Sequence, residues 1–184
     1  MSKIGISGTI GSGKTEVCNY LRNLGYVVFD CDEENKKILI ERSYELLYDD
    51  FKECFDDDIL NKTKLASLIF NDENAKQKLE SIMHPIILDK MLNIESDIMF
   101  AEVPLLFEVS WEKYFDQTWL IVSDENIAIS RLINRGLNKE DAILRTNSQM
   151  PVLEKIKKAD VIIYNNGSLD DLYKNIDNNL KDLL

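Results

Sequence analysis

The stretch Ser7–Thr15, which reads SGTIGSGKT, places the strongest constraint on the fold of this chain. A glycine and four intervening residues are followed by Gly13, Lys14 and Thr15, the spacing of a loop that binds phosphate through backbone N–H groups. A short β-branched run, KIGIS, precedes the loop, and apolar residues at helical spacing follow it. A loop of this kind connects a buried strand to the first turn of a helix, so the sequence predicts an α/β fold.

The residues after this loop complete a strand–helix–strand unit. The spacing of Val17, Leu21 and Leu24 predicts a helix, and Gly25 is placed to end it. The run YVVFD then reads as a second buried strand that finishes at Asp30. Two strands joined by one helix imply a parallel sheet with a right-handed crossover.

Three further apolar runs, DIMFAEV, TWLIVS and DVIIYN, predict strands that alternate with helical patterns. In the helical segments between and after these runs, Asn138 is a candidate N-cap, and Ser168 with Asp171 forms a capping-box pattern. The sequence therefore predicts a parallel five-stranded sheet flanked by helices.

The segment from about residue 33 to about residue 96 has helical patterns and no convincing strand. Asn61 is a candidate N-cap, and Pro85 is expected to open a new helix as its first residue. A helical stretch of this length within a strand–helix alternation predicts an insertion in a single domain that spans residues 1–184. In doubly wound sheets, ligands bind outside the carboxyl ends of the strands, and we expect the insertion to cover that edge.

Charge and composition exclude several classes of protein. The formal net charge of −11 argues against a nucleic-acid-binding surface, which is usually basic. No apolar run approaches a membrane span, and the first residues do not read as a secretory signal, so a cytoplasmic protein is expected. Three cysteines without a CxxC pair and a single histidine, His84, do not form a zinc-binding set, and Cys18 is expected to be a small buried residue.

The glycine loop indicates a nucleoside triphosphate as ligand. Its glycines let the backbone turn N–H groups inward, and the helix N-terminus adds a favourable dipole for an anion. The Lys14 ammonium can reach the β- and γ-phosphates, and the Thr15 hydroxyl can ligate Mg²⁺. The alternative is a glycine-rich turn that matches by chance, which the flanking strand and helix argue against.

Two groups of side chains are candidates for chemistry beside this loop. Asp30 and Asp32 follow the second strand, where a carboxylate can accept a proton from an attacking hydroxyl or hold Mg²⁺-bound water, although a strand-end aspartate can also simply cap a helix. Arg131, Arg135 and Arg145 lie between the fourth and fifth strands. Arginines there suit a lid, over about residues 131–150, that neutralises a transferring phosphoryl group, although solvated helix faces carry arginines too.

The run NKED, residues 138–141, matches the guanine-reading motif of GTPases. That motif requires an upstream Asp-x-x-Gly, and no glycine in this chain lies three residues after an aspartate. We therefore interpret Asn138 as a helix cap.

Taken in order, these motifs resemble the dephospho-coenzyme A kinases, over nearly the whole chain and least between about residues 38 and 58. The loop GTIGSGKT is similar to that family's GGIGSGKS, and GYVVFDCD is similar to its Gly-x-x-x-x-Asp-Ala-Asp segment. The long helical run that ends in His84 and Pro85 follows, and then EVPLLFE, RLINRG, SQM and ADVIIYNNGS in the family's order. Many enzymes share the loop alone, but the combination in this order is specific.

The resemblance implies a P-loop, nucleotide-kinase-like fold with a helical acceptor-binding insertion and a helical lid. It implies transfer of the ATP γ-phosphoryl group, with Mg²⁺, to the ribose 3′-hydroxyl of the small-molecule substrate dephospho-coenzyme A. No nucleic acid, membrane or obligate protein partner is expected.

The resemblance also assigns residues by role. The implied catalytic residues are Asp32, Lys14 and Arg135, and the implied metal ligand is Thr15. The implied nucleotide-binding residues are Thr9, Ile10, Gly11, Ser12, Gly13, Lys14, Thr15, Glu16, Arg131, Arg145, Asn166 and Gly167. The implied substrate-binding residues are Asp32, Lys36, Lys62, His84, Leu105 and Glu108.

The sequence departs from the family pattern at four of these positions, Thr15, Glu16, Lys36 and Lys62. Glu16 follows Thr15 where the family usually has Ser-Thr, which adds a negative charge close to the phosphates. Lys36 and Lys62 stand where the family has arginines, and lysine lacks the planar two-donor fork that binds phosphate. We expect acceptor affinity to be weaker, or phosphate contacts to come from elsewhere.

Two rival interpretations remain at this point. Another small P-loop kinase, acting on a nucleoside or nucleotide, would share the loop and lid but would not need the VPLLFE and His-Pro runs. A nucleotide-dependent switch without transfer chemistry is the second rival, and the absence of Asp-x-x-Gly argues against it.

Overall fold

The structure is a computed structural model that describes residues 1–183. In that range there are seven strands: β1 (Ser2–Gly8), β2 (Val27–Asp30), β3 (Phe55–Asp56), β4 (Ile59–Leu60), β5 (Ile98–Glu102), β6 (Gln117–Val122) and β7 (Val161–Tyr164). The same range has nine α-helices: α1 (Lys14–Asn23), α2 (Cys31–Glu41), α3 (Ser43–Leu47), α4 (Lys62–Asn71), α5 (Glu73–Leu92), α6 (Glu125–Asn134), α7 (Lys139–Asn147), α8 (Val152–Lys158) and α9 (Leu169–Lys181).

Five strands form one parallel sheet in the order β2-β5-β1-β6-β7. The strand β1 lies at its centre, between β5 and β6, so the glycine loop leaves the sheet from the middle of its carboxyl edge. Glu102, the last residue of β5, is in register with Ile6 of β1 on one side and with Asp30 of β2 on the other. The predicted fold class, a parallel five-stranded sheet flanked by helices, is confirmed.

The chain divides into two compact units, and the first contains Met1–Asp30 and the chain from Glu95 onward. Its core lies where α1 and α9 pack on the sheet, with the long apolar residues of the central strands between them. The fully or almost fully buried members are Ile4, Ile6, Val17, Cys18, Leu21, Phe100, Trp119, Ile121, Ile163, Leu172, Ile176 and Leu180. Cys18 is thus buried, as predicted.

The second unit is Cys31–Ile94, and it contains α2 to α5 and the small hairpin β3–β4. Its helices are tied by ion pairs as well as by apolar contacts: Lys90 on α5 pairs with Glu34 on α2, and Lys78 lies 3.1 Å from Asp50.

Two expectations for this second unit are wrong. The hairpin was not expected; its turn places Asp57 and Asp58 at φ 47° and 67°, and aspartate tolerates that left-handed region without the glycine that marks most such turns. Pro85 does not open a helix but lies inside α5. The ring is exposed, and a proline in a helix interior removes one backbone hydrogen bond, which the rest of this long helix tolerates here.

The predicted helix ends are confirmed. The Asn61 side chain accepts from the backbone N–H groups of Thr63 and Lys64, and Asn138 accepts from Asp141 at 2.8 Å. Ser168 and Asp171 form the reciprocal capping box at the start of α9. Over residues 1–183, none of the helices combines the length and the apolar character needed to cross a membrane.

Candidate active site

The glycine loop between β1 and α1 has the backbone geometry of an anion site. Gly11 and Gly13 adopt positive φ values of 75° and 90°. A Cβ atom at Gly11 would lie 2.7 Å from the carbonyl oxygen of Ala128, so only glycine fits there. Gly13 is the N-cap of α1 and offers no side-chain acceptor to the first N–H groups of the helix. The Glu16 N–H donates to the Gly13 carbonyl at 3.0 Å, so the N–H groups of Lys14 and Thr15 ahead of it are the ones available to a bound anion.

Polar side chains from the rest of the first unit support this loop. Arg131 on α6 donates from Nη1 to the carbonyl oxygens of Gly11 and Ser12, each at 3.4 Å, and to Ser123 Oγ at 2.8 Å. Asn165, after β7, donates to the Ser12 carbonyl at 2.7 Å. Because the loop carbonyls are held by these donors, the loop conformation is fixed from outside its own sequence.

The Arg131 guanidinium is also bonded to the end of β7. Its Nη2 donates to the backbone and side-chain oxygens of Asn165, at 3.1 and 3.3 Å. Arg135, at the end of α6, and Arg145, in the last turn of α7, are exposed instead. The three arginines of the predicted lid thus differ in environment, and only Arg131 contacts the glycine loop in the described structure.

Lys14, the first residue of α1, forms an ion pair with Glu102 at the end of β5. The Lys14 side chain is 15% exposed and the Glu102 side chain 6% exposed. Thr15 follows with an exposed side chain, so its hydroxyl is accessible to a ligand. Glu16 accepts a hydrogen bond from the Tyr173 hydroxyl on α9, which fixes this unusual carboxylate to a neighbouring helix.

The thiol of Cys18, one turn further along α1, is buried near this ion pair. Burial raises the pKa of the Cys18 thiol far above its ordinary value, and the negative charge of Glu102 raises it further. Cys18 is therefore a neutral part of the core beneath Lys14.

The two aspartates predicted after β2 occupy different elements. Asp30 is the last residue of the strand, and its carboxylate lies 3.8 Å from Arg22 Nη2. Asp32 lies in the first turn of α2 and is exposed.

The remaining predicted acceptor residues of the second unit are on three helices. Lys36 is exposed on α2, Lys62 is the exposed first residue of α4, and His84 is half-buried on α5. Burial lowers the pKa of the His84 imidazole, while Glu80 one turn earlier acts in the opposite direction.

The segment after β5 carries Leu105 and Glu108. Leu105 is 45% exposed and therefore accessible to a ligand. Glu108 forms an ion pair of 2.7 Å with Lys155 on α8, whose side chain is completely buried. Glu108 therefore has a charge partner within the protein.

The last predicted nucleotide residues follow β7. Asn166 exchanges two hydrogen bonds with Asp124: the Asp124 N–H donates to Asn166 Oδ1 at 2.8 Å, and Asn166 Nδ2 donates to the Asp124 carboxylate at 2.9 Å. Gly167 is exposed, and a Cβ atom there would lie 2.8 Å from Asp171.

A cavity of about 300 Å³ opens beside the glycine loop in the first unit. Its walls come from the loop, from the start of α6, from the end of α7 and from the chain that follows α7, and include Thr9, Ile10, Ala128, Thr146, Met150 and Pro151. Gln149 accepts a hydrogen bond from the Ile10 N–H at 2.8 Å. The end of the predicted lid is thus attached to the glycine loop.

Sequence reasoning missed several residues of this site. Glu102 was detectable, because a carboxylate at the end of a strand beside β1 carries the same signal as Asp30. Ser123 and Lys155 have no local pattern that marks them. Gln149 and Asn165 lie in the SQM and NNG runs of the family resemblance, but nothing in those runs marks their contacts with the glycine loop. Among residues 1–183, no cluster of three or more His, Cys, Asp or Glu side chains is arranged to hold a metal ion.

Comparison with known proteins adds independent evidence. The family model described as dephospho-CoA kinase matches residues 2–171. A dephospho-CoA kinase from Streptococcus thermophilus is 35% identical over 191 residues, which covers 98% of this chain and 97% of that protein.

Two solved structures are similar over almost their whole lengths. One from Thermus thermophilus superposes with a TM-score of 0.87 at 34% identity, covering 100% of this chain and 98% of the other. A dephospho-CoA kinase from Campylobacter jejuni superposes with a TM-score of 0.72 at 27% identity, covering 98% and 96%.

Proposed function

Because the chain belongs to the dephospho-coenzyme A kinase family, we propose that it transfers the γ-phosphoryl group of ATP to the ribose 3′-hydroxyl of dephospho-coenzyme A, giving coenzyme A and ADP. The observation that carries this proposal is the family match from residue 2 to residue 171. The matched range includes the glycine loop and also the VPLLFE and His-Pro runs, which other kinases of this fold do not need. The reaction completes coenzyme A biosynthesis, and we place it in the cytoplasm, where ATP is available.

The glycine loop is the proposed ATP site. Its free N–H groups, the N-terminus of α1 and the Lys14 ammonium bind the β- and γ-phosphates. Thr9, Ile10, Gly11, Ser12 and Gly13 form the loop that surrounds them. The well-supported conformation of the loop agrees with this role, since a phosphate site needs fixed donors.

Thr15 is the residue that would hold Mg²⁺. Its exposed hydroxyl offers the hard oxygen ligand that Mg²⁺ prefers, and Mg²⁺ usually takes its other ligands from water and from the phosphates of its substrate. When bound, Mg²⁺ supplies charge neutralisation between the β- and γ-phosphates.

Asp32 is the proposed catalytic carboxylate. It is exposed in the first turn of a helix, so its oxygens are accessible to a hydroxyl group. There it orients the acceptor 3′-hydroxyl and accepts its proton as the phosphoryl group is transferred. Arg135 and Arg145 approach the γ-phosphate from the lid, and Arg131, Glu16, Asn166 and Gly167 complete the nucleotide side.

We assign the acceptor to the helical unit and to the segment after β5. Lys36 and Lys62 offer exposed positive charges for the acceptor's phosphates, and His84 and the exposed Leu105 border the rest of the molecule. The family resemblance assigns Glu108 to this group. Because Glu108 pairs with Lys155, we propose that it holds the segment after β5 in its conformation. We still predict that the helical unit covers the strand ends. We also still predict that the protein has no nucleic-acid, membrane or obligate protein partner.

An ADP-release assay with ATP, Mg²⁺ and dephospho-coenzyme A tests this function, with the acceptor weighed by mass spectrometry. We expect ADP release to depend on dephospho-coenzyme A and the acceptor to gain one phosphate. Adenosine and shikimate serve as control acceptors. ADP release that is faster with either control would indicate another kinase of the same fold, and ATP binding without any product would favour a nucleotide switch.

A further inference from the structure

The ion pair between Lys14 and Glu102 joins residues from two different secondary-structure elements. Lys14 is the first residue of α1 and belongs to the glycine loop, whereas Glu102 ends the neighbouring strand β5 and lies outside that loop. Both side chains are largely buried, at 15% and 6% exposure. A pair this far from water is screened little, so it holds the ammonium in place more firmly than a surface pair does.

The Glu102 carboxylate has unused hydrogen-bonding capacity. Its Oε1 contacts Lys14, while its Oε2 is buried and has no hydrogen-bond partner among the described residues. Arg22 is the second cation beside this carboxylate: its Nη2 lies 3.8 Å from Oε2 and at the same distance from Asp30. Lys14 is therefore the one cation in direct hydrogen-bond contact with this carboxylate within residues 1–183.

The charges of this cluster balance within the protein. Lys14 and Arg22 supply two positive charges, and Glu102 and Asp30 supply two negative ones. When Lys14 turns to the phosphates, the Glu102 charge loses its closest partner while further negative charge arrives beside it. A buried carboxylate left in this way carries a large desolvation penalty.

We propose that Glu102 is a positioning residue that holds Lys14 in the nucleotide-free protein and competes with the triphosphate for its ammonium group. This inference rests on the proposed function, because it takes the glycine loop as the ATP site. ATP then binds by exchange: the ion pair to Glu102 opens as the ion pair to the phosphates forms. Glu102 keeps the lysine ordered, and it lowers ATP affinity by the free energy of the pair that is broken.

The isosteric substitution Glu102→Gln tests the exchange. It keeps the shape of the side chain and removes the charge that competes with the phosphates. We expect the dissociation constant for Mg·ATP, measured by calorimetry without acceptor, to fall by about tenfold, the equivalent of one such pair. The matched control is Glu112→Gln, which removes the acid of another Lys–Glu pair, at 3.1 Å from Lys158, and leaves ATP affinity unchanged.

Thermal unfolding separates this role from a purely structural one. Glu102→Gln lowers the melting temperature of the nucleotide-free protein, because Lys14 loses its partner, and the difference from wild type shrinks or reverses at saturating ATP. A structural residue would lower both melting temperatures by the same amount. Glu102→Asp, which keeps the charge on a shorter side chain, should give an affinity between those of wild type and Glu102→Gln.

Weaker or unchanged ATP binding in Glu102→Gln overturns the inference. So does a crystal structure of the wild-type protein with an ATP analogue in which Lys14 Nζ stays within ion-pair distance of Glu102, a measurement that does not depend on any variant folding. If the wild-type protein does not bind ATP at all, the proposed function fails instead, and the two failures are thereby distinguished.

Discussion

At the scale of single residues, Arg131 shows how much of a phosphate loop's geometry lies outside the loop. Its guanidinium reaches two loop carbonyls, one hydroxyl and the Asn165 oxygens at once. Only a planar group with several donors can serve acceptors in these different directions. The proposed contact of Arg131 with ATP and its support of the loop therefore draw on the same side chain.

Replacing Arg131 with lysine tests this support. Arg131→Lys keeps the charge but lacks the fork, so we expect ATP affinity to fall by about tenfold and the free energy of unfolding to fall by about 1–3 kcal/mol. Isothermal calorimetry and urea unfolding measure the two effects. Arg42→Lys is the control, since Arg42 forms an exposed pair with Glu45 whose loss should cost little. Unchanged ATP affinity in Arg131→Lys would contradict the role.

Asp32 carries the prediction on chemistry. Asp32→Asn removes the proton acceptor and keeps the shape, so we expect kcat to fall by roughly a hundredfold or more while the dissociation constant for ATP stays the same. Rapid-quench measurement of ADP formation and a separate ATP titration give the two values. Glu33→Gln, a neighbouring exposed carboxylate on α2, should retain normal turnover. Near-normal kcat in Asp32→Asn would remove Asp32 from the proposed mechanism.

At the scale of elements, the sequence predicted whatever is decided by local chemistry. The strand β1, the helix α1 and its end at Gly25, and the caps at Asn61, Asn138 and Ser168 all follow from a few adjacent residues. The β3–β4 hairpin was missed because two aspartates replace the usual Asn-Gly signal at its turn. The predicted helix start at Pro85 was wrong because Pro85 lies inside α5. A proline marks the first residue of a helix only where the residues before it are not already helical.

The long-range partners of the site residues could not be predicted from adjacent residues in this way. The loop, Lys14 and Thr15 carry a spacing motif, but Glu102 lies 88 residues from Lys14 and Asn165 lies 153 residues from Ser12. Hydrophobic periodicity predicts which face of a helix or strand is buried. It does not predict which polar residue from a distant part of the chain lies beside that element. The site's framework was therefore predictable and its electrostatics was not.

The pair of Lys155 and Glu108 makes a prediction at this scale, because it fastens α8 to the segment after β5. Lys155→Met leaves both buried Glu108 oxygens beside an apolar group, so we expect a loss of about 3 kcal/mol in the free energy of unfolding. The double variant Lys155→Met with Glu108→Gln should recover part of that loss. Urea unfolding of the four proteins measures the coupling, and strictly additive losses would contradict it.

Lys158→Met is the matched control for this cycle. Lys158 lies on the same helix, pairs with Glu112 at 3.1 Å and donates to the Phe107 carbonyl at 3.2 Å, but both side chains of the ion pair are at least 30% exposed. Because water can solvate the partner that remains, the loss should stay below about 1 kcal/mol. A loss as large as that of Lys155→Met would show that the charge of α8, rather than burial of one lysine, sets the stability.

At the scale of the whole molecule, a chain with a net charge of −11 is proposed to bind two polyanionic substrates. Long-range attraction cannot account for this, because the overall field repels phosphates. Binding therefore depends on local donors in fixed positions: the N–H groups of the glycine loop, Lys14, and the exposed lysines and arginines. The cations near the loop are in turn held by carboxylates and carbonyls of the protein, Lys14 by Glu102 and Arg131 by the loop.

The one histidine of the chain predicts how the free energy of unfolding of the whole molecule depends on pH. Burial lowers the pKa of His84 in the folded state below its ordinary value of 6.5. Below about pH 6.5 the unfolded chain therefore binds a proton that the folded chain resists, so His84 makes the protein less stable as the pH falls through that range. His84→Gln removes this contribution, and the difference in free energy of unfolding between about pH 7.5 and about pH 5.5 should be smaller than in wild type.

The carboxylates of the chain also titrate at low pH, so the wild-type slope alone does not identify His84. The difference between wild type and His84→Gln does, because the carboxylates are the same in both proteins. An NMR titration of the one imidazole gives the same quantity directly: its midpoint should lie below 6.5 in the folded protein and near 6.5 in urea. A folded-state midpoint above 6.5 would mean that Glu80, rather than burial, dominates the environment of His84, and the stability difference would then change sign.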